Sequence, residues 1–137
     1  MNRRKTSTLK YGELTGKILN AFYDVYNHLG YGFLESVYEN ALAHELRKRG
    51  HRVIQQAPIN VQYDDIVVGK YFADMLVDNK VVIELKIAER ISDAHVAQLI
   101  NYLKATELEV GLLLNFGPKP EFRRKVFTQS KKIRVHP

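Results

Sequence analysis

Apolar residues recur at helical spacing through residues 12–29, where Leu14, Ile18, Phe22 (or Ala21), Val25 and Leu29 share one stripe and Gly30 closes the segment. Residues 34–49, stopped by Gly50, predict a second helix, with Gly30-Tyr31-Gly32 as a tight link between the two. The pattern then changes to β. Residues 53–63 predict a strand in which Pro58 points to a sheet edge or a bulge, and Asp64-Asp65 turns the chain into a strand over 67–77. Asp78-Asn79 is turn chemistry again, followed by a strand over 80–87. Side chains alternate along a strand, and here apolar residues point both ways, Val82 on the side of Glu84 and Ile83 on the side of Leu85. Such a strand is central and covered on both faces. Ser92 is a good N-cap and Asp93 suits a positive first turn; residues 94–106 follow as a helix with Val96, Leu99, Ile100 and Leu103 inward. The nearly unbroken apolar run 110–116 reads as a buried strand, and from Gly117 on the chain reads as loop with a last short strand near 125–128. There is no internal repeat and no low-complexity segment.

Against this background three charged residues stand out. Asp74 and, ten residues later, Glu84-Leu85-Lys86 lie on the two strands of one hairpin, with Glu84 and Lys86 on one face. Charges on a covered strand are costly without partners. Two carboxylates can hold Mg²⁺, which takes oxygen ligands and keeps several waters. A lysine beside that ion can position or deprotonate a water, or steady charge on a phosphate. An ion pair of Lys86 with Glu84 or Asp74 on a half-exposed sheet would account for the same three residues, because short motifs match by chance. A second element narrows the choice: Gln98 and Tyr102, four apart, share a face of the following helix.

Asp74, Glu84-x-Lys86 and Gln98-x-x-x-Tyr102 together resemble the active-site signature of the PD-(D/E)XK nuclease superfamily in its exonuclease-like branch. Gly32-Phe33-Leu34-Glu35-Ser36-Val37-Tyr38 resembles the GxxExxY motif of a small family within it, and Glu45-Leu46 and Asn115-Phe116-Gly117 fit the same family. The resemblance spans residues 14–127; Ala73 stands where the superfamily name has proline, at a position that carries no chemistry. It implies an α/β (α+β) restriction-endonuclease-like core in the order ααβββαβ, a central mixed sheet flanked by helices. It also implies a metal-dependent nuclease. Asp74 and Glu84 would hold Mg²⁺ or Mn²⁺ with the Leu85 carbonyl and with Glu35, directly or through water. Lys86 would orient the attacking water, Gln98 would fix Lys86 or that water, and Tyr102 would contact a phosphate or wall the cleft. Glu35 lies in a first helical turn, where the helix dipole alone favours a carboxylate. Tyr38, one turn on, either faces the cleft or packs on the sheet; Glu39 and Glu45 read as surface residues. A non-catalytic nucleic-acid-binding or protein-interaction module on the same fold is the alternative, since a fold does not settle a function.

Length and composition fit one soluble domain: 137 residues, 45% hydrophobic, with a domain over 11–128 and basic tails over 1–10 and 129–137. The absence of cysteine excludes disulfides and thiolate zinc sites. The five histidines include no pair at helical metal spacing, and His95, one turn before Gln98, is read as dispensable. No signal peptide or membrane span is legible, so a cytoplasmic location is expected. A net charge of +6, concentrated in Arg3, Arg4, Lys5 and Lys10 and in Arg123, Arg124, Lys125, Lys131, Lys132 and Arg134, favours a polyanionic partner. Nucleic acid is the expected partner, DNA ahead of RNA. A homodimer is a common way for a small domain to reach both strands of a duplex, though no interface is legible.

Overall fold

The computed structural model describes residues 10–128, so the expected tails lie outside the described residues except for Lys10. Two helices, α1 (Gly12–Leu29) and α2 (Glu35–Lys48), precede three strands, β1 (Val53–Tyr63), β2 (Ile66–Val77) and β3 (Val81–Lys86). Helix α3 (Asp93–Lys104) then leads to β4 (Val110–Phe116) and β5 (Pro120–Val126). The strands form one five-stranded sheet in the order β1-β2-β3-β4-β5. Only the β3–β4 pair is parallel, joined by the α3 crossover; the other neighbours are antiparallel. The sheet is therefore mixed, with β3 at its centre as the two-faced apolar pattern required. No helix among the described residues is long and apolar enough to cross a membrane.

The elements form for the reasons visible in the residues. Asp64-Asp65 and Asp78-Asn79 are left-handed at both positions, the backbone that closes a tight hairpin with the twist of its strands. Ser92 caps α3 by accepting from the His95 N–H at 3.1 Å, and the Ser92 N–H donates to His95 Nδ1 at 3.1 Å. His95 thus fills the place that glutamate or glutamine takes in a capping box, which accounts for it without a catalytic role. Pro58 lies on β1, an edge strand, where its missing N–H costs no ladder bond on the open side.

One expectation fails. Gly117 onward was expected to be loop with a short strand near 125–128, but β5 occupies Pro120–Val126 and pairs with all of β4. Its residues are charged and half-buried because an edge strand needs only main-chain pairing on one side; no apolar alternation marks it. Arg123, Arg124 and Lys125 consequently belong to the sheet and not to a solvated tail.

Two apolar cores cover opposite faces. Val81, Ile83 and Leu85 of β3 meet α1 and α2 through Ile18, Phe22, Leu42 and Leu46. Val82 of β3 and Leu113 of β4 meet Leu99 and Leu103 of α3. Gly111 permits that second contact, since a Cβ there would lie 2.7 Å from Leu99 Cδ1. The β1–β2 hairpin changes sides as it runs. Val53, Met75 and Val77 belong to the first core, whereas Ile59 and Ala73 belong to the second. Simple alternation would keep residues 73 and 75 on one face. The exchange happens where Gln56, left-handed at φ 51°, faces Asp74 between the pairs Gln55–Met75 and Ala57–Ala73.

Candidate active site

The β2–β3 ladder runs only from Val77–Val81 to Met75–Ile83 and stops one step short of Asp74 and Glu84. Side chains take over at this fork. The Leu85 N–H donates to Asp74 Oδ2 at 2.7 Å, and the Asp74 N–H donates to Glu84 Oε2 at a long 3.3 Å. Gln56 Nε2 reaches Asp74 Oδ1 at 3.4 Å. Asp74 and Glu84 are thus brought together as expected from the hairpin.

Glu84 is only 8% exposed, on the α3 side of the sheet beside Val82. Burial and then the Asp74 carboxylate push its acid up to about 8, with the Asp74 N–H and Lys86 opposing that rise only in part. Glu35, in the first turn of α2, is also raised, by burial first and then by Asp74, with Lys86 pulling the other way. Tyr102 is pushed up to about 12 by burial, then by Glu84 and Asp74. These influences place Glu35, Tyr102 and Lys86 within electrostatic reach of the pair. Lys86 forms no ion pair with a described carboxylate, so the purely structural ion pair is not made. Gln98 is exposed on α3 and makes no hydrogen bond with Lys86 among the described residues.

Two adjacent carboxylates, Glu84 buried and Asp74 half-buried, suit a hard divalent cation, which would favour the ionised state that burial opposes. The described residues hold no group of three or more Asp, Glu or His side chains arranged to bind a metal by themselves. Asp74 and Glu84 are the two carboxylates the fork itself brings together, and waters would complete the shell of such a cation, as Mg²⁺ prefers.

A family model describing the PD-(D/E)XK nuclease superfamily matches residues 12–125. The chain belongs to that superfamily. The solved structure titled "Crystal structure of SSO0001" is similar at a TM-score of 0.54 and 20% identity, covering 71% of this chain and 52% of that one. At this identity the likeness concerns the fold, and the chain spans about half that structure's length (52%). No curated protein matches.

Around this candidate site several residues have partners that their position in the sequence did not indicate. Tyr38 is fully buried and stacks on Phe116 with ring centroids 4.4 Å apart. Its hydroxyl donates to the Gly30 carbonyl and accepts from the Phe33 N–H at 3.2 Å, so it pins the link that delivers Glu35. Of the two alternatives for Tyr38, packing on the sheet is the one found. Glu39, expected at the surface, is half-buried and accepts from Gln55 Nε2 at 2.8 Å and Gln56 Nε2 at 2.9 Å. Two adjacent glutamines inside a strand were the signal for this contact. Tyr71 stacks on Tyr102 at 4.0 Å, its hydroxyl buried and without a hydrogen-bond partner among the described residues. Asn115, opposite Lys86 in the β3–β4 register, holds Ala88 by both main-chain groups at 2.9 Å each. Gly117 must lack a side chain there, since a Cβ would sit 2.0 Å from the Ala88 oxygen.

Proposed function

We propose that this protein is a divalent-metal-dependent nuclease of the GxxExxY kind, hydrolysing nucleic-acid phosphodiester bonds. The observation that carries this reading is the meeting of buried Glu84 and half-buried Asp74 at the fork of β2 and β3, with Lys86 within electrostatic reach and in no ion pair among the described residues. Asp74 and Glu84 would hold Mg²⁺ or Mn²⁺ with the Leu85 carbonyl, and Glu35 would act through water. When bound, the cation supplies charge stabilisation for the phosphate and acidifies water. Lys86 orients the attacking water and offsets charge as the leaving oxygen is displaced in line. Tyr102, backed by Tyr71, walls the cleft on the α3 side. Gln98 reaches the water or Lys86 on substrate binding, since apo contacts at catalytic groups often tighten only in the complex. DNA is favoured over RNA as the polymer, and a homodimer would present two such sites to a duplex.

The test is cleavage of labelled single- and double-stranded DNA and RNA with Mg²⁺, Mn²⁺ or EDTA, wild type beside Glu84→Ala. Metal-dependent cutting by the wild type alone is the expected result. A folded wild type that binds these polymers in EDTA, as does Glu84→Ala, and cuts none of them with any metal would identify a binding module instead.

A further inference from the structure

Among the described residues other than glycine, Gln56 alone adopts a left-handed backbone inside a helix or strand; the others with positive φ lie in turns or at the start of α1. A glutamine gains nothing locally from that conformation, which crowds its Cβ against the main chain. Such strain persists only where the surroundings impose it, and it concentrates at working sites. Here it falls opposite Asp74, where the hairpin exchanges one core for the other.

The strained backbone aims the Gln56 amide at two carboxylates. Nε2 donates to Glu39 Oε1 at 2.9 Å and lies 3.4 Å from Asp74 Oδ1. The other Asp74 oxygen receives the Leu85 N–H at 2.7 Å, so both oxygens of this carboxylate are addressed. Glu39 is held in turn from β1, where Gln55 Nε2 donates to its Oε2 at 2.8 Å and Arg47 Nη1 donates to Gln55 Oε1 at 3.2 Å. The chain Arg47–Gln55–Glu39–Gln56–Asp74 therefore ties α2, which begins with Glu35, to the carboxylate at the fork.

We infer that Gln56 is a positioning residue, which orients Asp74 toward the cation and fixes it relative to α2. The inference rests on the reading of Asp74 as a metal ligand, and it extends that reading to a residue with no part in the motif. An NH₂ group suits this place, since it donates to both carboxylates and adds no charge that would compete with the cation.

Gln56→Gly separates the two contributions of the residue, because glycine accepts the left-handed backbone while losing the amide. Mn²⁺ binding by calorimetry and the midpoint of thermal unfolding, both on the full chain, are the readouts. The expected result is Mn²⁺ binding weakened by about tenfold, the scale of losing a residue that orients a ligand, with the midpoint unchanged or higher. Gln56→Asn, which tolerates the backbone but is one methylene too short, should weaken binding alike. Mn²⁺ affinity of both variants within about twofold of wild type would overturn the inference. So would a loss of affinity that simply follows a lower unfolding midpoint. Failure of the nuclease reading looks different: a wild type that binds Mn²⁺ and cleaves nothing.

Discussion

β3 and β4 lie side by side at the centre of the sheet, and each buries one strongly polar side chain. Asn115 on β4 is fully buried, and both ends of its amide are bonded to Ala88 at 2.9 Å. Glu84 on β3 is nearly as buried, yet its one hydrogen bond among the described residues is the long contact from the Asp74 N–H at 3.3 Å. A satisfied polar group in a core specifies geometry; an unsatisfied one costs stability and is kept for another use. Asn115 fixes where the chain leaves β3. Glu84, its acid pushed up to about 8, would on the proposed function meet a cation there.

Substitution should separate the two residues cleanly. Glu84→Ala and Lys86→Ala should each lower cleavage by roughly a thousandfold or more while the folded state persists, on the scale of removing a group that stabilises the transition state. Cleavage assays beside thermal melts check both, and retained cutting in both variants sinks the mechanism. Asn115→Ala should do the reverse. It strands the N–H and carbonyl of Ala88 and should cost about 2–3 kcal/mol of stability, read by denaturant unfolding, while Mn²⁺ is still bound by the folded fraction.

A pH series sharpens the contrast. Glu84 moves from an ordinary 4.5 in the unfolded chain to about 8 in the folded one. Between these values the folded protein keeps a proton that the unfolded chain has released. The stability associated with this group is therefore fully present below about 4.5 and is lost as pH rises through about 8. Metal-free Glu84→Gln should flatten that slope, and Asn115→Ala should leave it in place at a lower level. The smallest effect is expected at Gln98, exposed and unbonded to Lys86: Gln98→Ala should reduce kcat by less than about tenfold, measured under the same conditions.

Much of this was legible along the chain because it depends on local period and turn chemistry. The stripe from Leu14 to Leu29, the Asp78-Asn79 turn and the two-faced β3 each follow from near neighbours, and the turn alone brings Asp74 to Glu84. β5 was not legible, because its charged residues are held by main-chain pairing to β4 and carry no alternation. The clamp of Asn115 on Ala88 spans 27 residues of sequence, and its amide is interchangeable with a surface one until the strands are aligned. Gln56 and Glu39 were hidden for a similar reason. Their meeting depends on a left-handed residue that no propensity favours.

The proposed activity depends on a divalent cation held by the Asp74–Glu84 pair. Calorimetric titration of the wild type with Mn²⁺ at neutral pH, repeated in buffers of different ionisation enthalpy, tests it most directly. With its acid at about 8, Glu84 is largely protonated there, so binding should release about one proton per site, and Glu84→Gln should release none and bind far more weakly. Binding with no buffer dependence, or with equal affinity in Glu84→Gln, would contradict the claim.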